Sequence, residues 1–106
     1  RVKELIKYKG YQVAPAELEA TLLGHPEIAD AAVIGVYDDE DNEVPKAFVV
    51  RVPGSSLTPD SVMEYVAGVV APYKKVRRVE FIDAVPKAAS GKILRRELRQ
   101  RQKAQA

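Results

Sequence analysis

Apolar positions along this chain switch between the strand period of two and the helical period of 3.6, and the switches mark its elements. Val2, Leu5, Ile6 and Tyr8 favour strand, Lys9-Gly10 supplies a turn, and Tyr11-Gln12-Val13 returns, so the start reads as a short β-hairpin. Gly10 accepts positive φ at that turn with little steric cost. Pro15 suits the first position of a helix, and Glu17 and Glu19 favour the positive end of its dipole. Leu18 and Leu22 share one face of that helix, and Gly24 followed by Pro26 stops it. The β-branched run from Ala31 to Tyr37 predicts a buried strand, and Lys46 to Val52 predicts its antiparallel return. Between them the acidic cluster Asp38, Asp39, Glu40, Asp41 and Glu43 forms the tip of a turn. After the loop Pro53-Gly54-Ser55-Ser56, Thr58 caps a second helix that starts at Pro59, aligns Val62, Val66, Val69 and Val70, and ends at Pro72. Arg78 to Ile82 alternates as a third strand. Pro86 to Gly91 is a loop of small residues, and Ile93 to Lys103 is a final helix, apolar at Leu94 and Leu98.

This order predicts an α+β domain: a small, mostly antiparallel three-stranded sheet packed with helices, plus an N-terminal β-hairpin. It divides into a hinge and hairpin (1–13), an α+β core (14–85), a lysine loop (86–92) and a basic C-terminal helix (93–106).

The 106 residues suffice for one core, and 46% of them are apolar, ordinary for a globular domain. No run approaches the ~18 apolar residues of a membrane-spanning helix, so no membrane partner is expected. The chain opens on Arg1 without a signal-peptide pattern, which points to processing or to an excerpt of a longer protein. Cysteine is absent, which excludes disulfides and thiolate metal sites and fits a reducing compartment, the cytoplasm. The single histidine, His25, sits in a helix stop, too little for a zinc site or a serine–histidine–acid set. There is no Walker loop or GxGxxG, and the acidic cluster lacks EF-hand spacing. Net charge is +2, yet Lys92, Arg95, Arg96, Arg99, Arg101 and Lys103 face one acid, Glu97, within the last helix and its approach. Such a stretch is a solvated helix face or, alternatively, a nucleic-acid surface; it lacks the aromatic interleaving of the latter.

Two segments carry candidate chemistry. Lys7-Tyr8-Lys9-Gly10-Tyr11-Gln12 crowds cations and aromatics onto a tight turn. Pro86-Lys87-Ala88-Ala89-Ser90-Gly91-Lys92 presents Lys92 from a loop of small residues, where its ammonium can reach a phosphate. Each is equally compatible with an ordinary solvated loop, and composition and spacing stop there.

The stretch from Arg1 to Glu19 resembles the hinge and first hairpin of the adenylate-forming superfamily, which holds acyl- and aryl-CoA synthetases, nonribosomal peptide adenylation domains and luciferase. Pro86 to Lys92, followed by Ile93-Leu94-Arg95-Arg96, resembles the last core motif of that superfamily. The 4-coumarate–CoA ligase branch is the nearest flavour, and the resemblance runs to about Leu98.

The resemblance implies a two-step ligase. A carboxylic acid and ATP give an acyl-adenylate and pyrophosphate, and the acyl group then passes to coenzyme A with release of AMP. It implies that Lys92 bridges carboxylate and phosphate during adenylation and that Lys3 is the hinge. Arg1 lies by the nucleotide ribose. Lys7 and Gln12 face the adenylate in the thioester-forming pose, and Gly10 and Tyr11, with Tyr8 and Lys9, line the pantetheine channel. Lys92 also resembles a lysine that acetyltransferases modify. ATP and CoA are then substrates, Mg2+ accompanies ATP in a large N-terminal domain, and no metal is held by this domain alone. That N-terminal domain, with the aspartate that normally precedes Arg1, is not in the chain, so the fragment by itself is expected to be inactive. A carrier-protein adenylating domain and a luciferase-like oxidative enzyme are alternatives within the superfamily.

Overall fold

The computed structural model describes residues 5–105. The predicted hinge and nucleotide residues, Lys3 and Arg1, lie outside them. β1 (Ile6–Tyr8) and β2 (Tyr11–Val13) form the hairpin, paired Ile6 to Val13, Lys7 to Gln12 and Tyr8 to Tyr11. Both residues between the strands have positive φ, Lys9 at 49° and Gly10 at 88°. A two-residue loop of this kind has the twist that antiparallel strands require.

Then follow α1 (Pro15–Leu23), β3 (Ile28–Tyr37), β4 (Glu43–Arg51), α2 (Pro59–Ala67), a single 3-10 turn over Pro72–Lys74, β5 (Arg78–Phe81) and α3 (Arg95–Gln105). The second sheet has the order β3-β4-β5. β3 and β4 pair antiparallel along nearly their whole length, whereas β5 lies parallel to β4. The connection through α2 returns the chain to the same end of the sheet, and a crossover of that kind delivers a parallel strand. Alternation in the sequence identifies β5 but is blind to its direction.

Alternate residues of β3 and β4 feed two cores. Ala31, Val33, Ala47 and Val49 pack with Leu18 and Leu22 of α1 and Val62 and Val66 of α2. Ala32, Ile34, Val36, Val44 and Phe48 face the other way, onto Leu98 of α3 and Val85. The sheet is therefore sandwiched, which is why its two long strands read as continuous apolar runs. Phe48, Leu18 and Leu22 are fully buried, and truncating one costs about 2–5 kcal/mol.

Three expectations change. α2 ends at Ala67 with Gly68 as its cap, so Val69 is 61% exposed and does not extend the valine face. The Thr58 cap itself is present, its hydroxyl accepting the N–H of Ser61. α3 begins at Arg95 because Ile93 is held in a β-bridge with Lys87. Glu19 does not serve the helix dipole: it is buried and ion-paired with Arg95.

α3 buries one apolar residue, Leu98, and is otherwise docked by polar groups. Lys46, buried on β4, donates to Gln102 and, at 2.9 Å, to Glu80 of β5, which also pairs with Arg101 at 2.9 Å. Among the described residues no helix is long and apolar enough to cross a membrane.

Candidate functional site

The hairpin register puts Lys7 and Gln12 opposite each other, both exposed and on one face. The opposite face carries Ile6 and Val13, which enter the core, and the tyrosines. Tyr11 stacks on Tyr73 at 4.3 Å with 18° between the rings. The Tyr8 ring lies against the guanidinium of Arg77 at 4.8 Å and the Lys9 ammonium at 5.5 Å. Tyr8, Tyr11, Pro72, Tyr73 and Arg77 thus line one open groove. Nothing lies within 4 Å of a side chain built onto Gly10, so within this domain glycine is required there by its φ and not by crowding.

The hairpin is tied to the sheet by Glu43, whose Oε1 accepts the backbone N–H of Lys7 at 2.9 Å. Glu43 sits at the start of β4, opposite Tyr37 at the end of β3. The rest of the acidic cluster forms the turn as expected. The Asp38 carboxylate accepts the N–H groups of Glu40 and Asn42, each at 2.9 Å. The hydrogen bond from Asn42 is the main reason that its carboxyl lies below the usual aspartate range.

The lysine loop is a closed turn and not a featureless run of small residues. Ala88 N–H donates to the carbonyl of Lys92 at 2.9 Å, Gly91 N–H to that of Ala88 at 2.8 Å, and Leu94 N–H to that of Pro86 at 2.9 Å. Gly91 has a φ of 89°, which a side chain would strain. Lys92 projects from this turn, exposed and, among the described residues, without an ion-pair partner. The loop is seated at the beginning and middle of β3. Lys87 pairs with Asp30 at 2.7 Å, and Arg95 donates to the carbonyl of Val33 at 3.2 Å. The Lys92 turn is thus seated at Asp30 and Val33, and the Lys7 strand is tied further along the same strand, through Glu43 beside Gly35.

The family model described as AMP-binding enzyme C-terminal domain matches residues 17–92. The chain belongs to that family. Rice (Oryza sativa subsp. japonica) 4-coumarate–CoA ligase-like 5 is 67% identical over 98 residues, which are 92% of this chain and 18% of the relative. Arabidopsis thaliana peroxisomal OPC-8:0-CoA ligase 1 is 63% identical over 98 residues, with the same 92% and 18% coverage. The solved Mycobacterium tuberculosis fatty acyl CoA synthetase superposes with a TM-score of 0.88 at 34% identity, covering 99% of this chain and 21% of that one. The chain thus spans about a fifth of the length of the relatives it matches.

In this AMP-binding C-terminal domain, sequence reasoning missed two residues of the hairpin groove, Tyr73 and Arg77. Pro72 reads as a helix stop, but it opens the 3-10 turn that lifts Tyr73 against Tyr11. The Pro72-Tyr73-Lys74-Lys75 run repeats the cation–aromatic mix of the hairpin, and that was the available signal. Next to Tyr73, Lys74 pairs with Glu17 at 2.7 Å, which raises its pKa. In the C-terminal helix, Arg95 and Arg101 are spent on internal ion pairs, so its basic charge is less available to a partner than the sequence suggests. Among the described residues no group of three His, Cys, Asp or Glu could hold a metal ion.

Proposed function

We propose that this chain is the mobile C-terminal domain of an ATP-dependent carboxylic acid–CoA ligase. The full enzyme forms an acyl-adenylate and pyrophosphate from acid and ATP, then transfers the acyl group to CoA and releases AMP. The separate anchoring of the two lysine segments on β3, that of Lys92 at Asp30 and Val33 and that of Lys7 through Glu43 beside Gly35, is the observation that carries the proposal. A rigid domain built this way presents one lysine or the other to a single site, so two steps in one pocket require it to turn. Lys3 is the proposed hinge, and Arg1 contacts the nucleotide.

In the adenylating pose Lys92 meets the oxygens between carboxylate and α-phosphate, where negative charge builds as the new bond forms. A cation fixed there stabilises the transition state more than the ground state. In the thioester-forming pose the exposed pair Lys7 and Gln12 faces the adenylate. Lys7 offsets the charge released on the AMP leaving group, and Gln12 orients the carbonyl. Gly10 and Tyr11, flanked by Tyr8 and Lys9, form the wall along which pantetheine enters. Closure in either pose keeps water from the adenylate. Mg2+ would be held with ATP by the N-terminal domain.

The ligase names of the relatives favour free CoA over a carrier protein or an oxidative luciferase-like outcome. A cytoplasmic enzyme is proposed, to be set by fractionation against the peroxisomal compartment named for the Arabidopsis relative. The test compares pyrophosphate release by the full-length enzyme and by residues 1–106 alone. The account expects turnover in the first and background in the second. Robust turnover by the fragment overturns it.

A further inference from the structure

The Glu19–Arg95 pair lies where three elements meet. α1, on one face of the sheet, supplies Glu19; α3, on the other, supplies Arg95; and they meet across the outer edge of β3. One Arg95 nitrogen reaches both carboxylate oxygens, at 2.6 and 2.7 Å. Glu19 also accepts the N–H of Val33 at 2.8 Å, and Arg95 Nε donates to the carbonyl of the same residue. The pair thus occupies both edge-facing backbone groups of Val33, as a neighbouring strand would, and blunts an open edge. The side chains are only 8% and 16% exposed, so the geometry is held in a poorly screened setting.

Edge protection alone does not require the arginine to stand three residues after Lys92. Arg95 is the first residue of α3, directly beyond the closed turn. At the other end of that turn Lys87 pairs with Asp30, three residues before Val33 on β3. The turn is therefore clamped at both ends to one strand, with Lys92 projecting between the clamps. A lysine on a flexible four-carbon stem gains most from a fixed base, because its backbone then brings no disorder of its own.

We infer that Glu19 and Arg95, assisted by Asp30 and Lys87, are positioning residues that hold the base of Lys92 at the geometry adenylation needs. This rests on the proposed role of Lys92. They touch no substrate, and they act only in the half-reaction that uses Lys92.

The test uses the full-length enzyme with both half-reactions measured separately: ATP–pyrophosphate exchange for adenylation, and CoA consumption from supplied acyl-adenylate for transfer. Arg95→Lys keeps the charge and loses the fork. Asp30→Asn breaks the second, more exposed clamp and serves if Arg95→Lys does not fold. Each should lower the kcat of adenylation about ten- to a hundredfold, the scale of a small misplacement at a reacting centre, with the KM for ATP little changed and transfer within about twofold. Combined with Lys92→Ala, either should add almost no further loss, since there is no longer a lysine to position. Losses that add to that of Lys92→Ala, or both half-reactions falling together, overturn the inference in favour of a purely structural clamp. If Lys92→Ala itself leaves adenylation intact, the reading of Lys92 falls first and the inference falls with it.

Discussion

The side chain of Glu43 holds the backbone of Lys7, at 2.9 Å, and does so across the space left by Gly35. A Cβ at Gly35 would stand 2.3 Å from Glu43 Oε2. The absence of a side chain on β3 is thus what lets the carboxylate lie flat enough to receive the hairpin. Because the clash involves the end of a flexible side chain, Gly35→Ala is relieved by moving Glu43, at small cost to stability but at the expense of the tie to Lys7.

Glu43→Ala and Gly35→Ala should therefore slow acyl transfer to CoA in the full-length enzyme by about fivefold, the worth of one hydrogen bond of ~1 kcal/mol, and leave adenylation near wild type. Single-turnover transfer from preformed adenylate measures this. Unchanged transfer with slowed adenylation would show that the hairpin belongs to the other pose.

Much of this was legible in the sequence, and the exceptions have physical causes. Prolines at helix starts and β-branched runs act locally, and they placed α1, α2 and β3 to within a few residues. Val69 was misplaced because Gly68, which ends α2, comes before the proline that looked like the stop. The direction of β5 and the burial of Glu19 depend on partners far along the chain, Lys46 and Arg95, so no local pattern could report them. At the site, both lysine segments were visible as motifs. The groove residues Tyr73 and Arg77, and the acids that seat the segments, were not, because their roles exist only once the sheet has formed.

The turn at Asp38 should respond to acid. Its folded pKa is lowered, first by the Asn42 N–H, with help from Glu40 and Arg78 and against the cost of desolvation. A depressed carboxyl contributes stability that is present above the unfolded pKa and lost as pH falls through the folded one. A carboxyl NMR titration should place the Asp38 midpoint below that of an unstructured aspartate, with the amide shifts of Glu40 and Asn42 following it. A midpoint at or above the unstructured value contradicts the hydrogen-bonding account.

Lys92 should be open to acetylation. Its side chain is exposed, while its backbone carbonyl is held by Ala88. Acetylation removes the charge and should reproduce the Lys92→Ala loss in adenylation while sparing transfer. Mass spectrometry of the native protein from acetyl-rich cells tests for the modification, and Lys92 unmodified under every condition counts against it.

The central claim is that two lysines on one rigid domain serve two different steps. Separate assay of both half-reactions for Lys92→Ala and Lys7→Ala in the full-length enzyme tests it most directly. Lys92→Ala should cut adenylate formation by roughly two to three powers of ten, the scale of losing one transition-state stabiliser, and spare transfer from supplied acyl-adenylate. Lys7→Ala should leave adenylation nearly intact and slow transfer. If both substitutions depress the same half-reaction to the same degree, the alternating presentation of Lys7 and Lys92 is wrong for this protein.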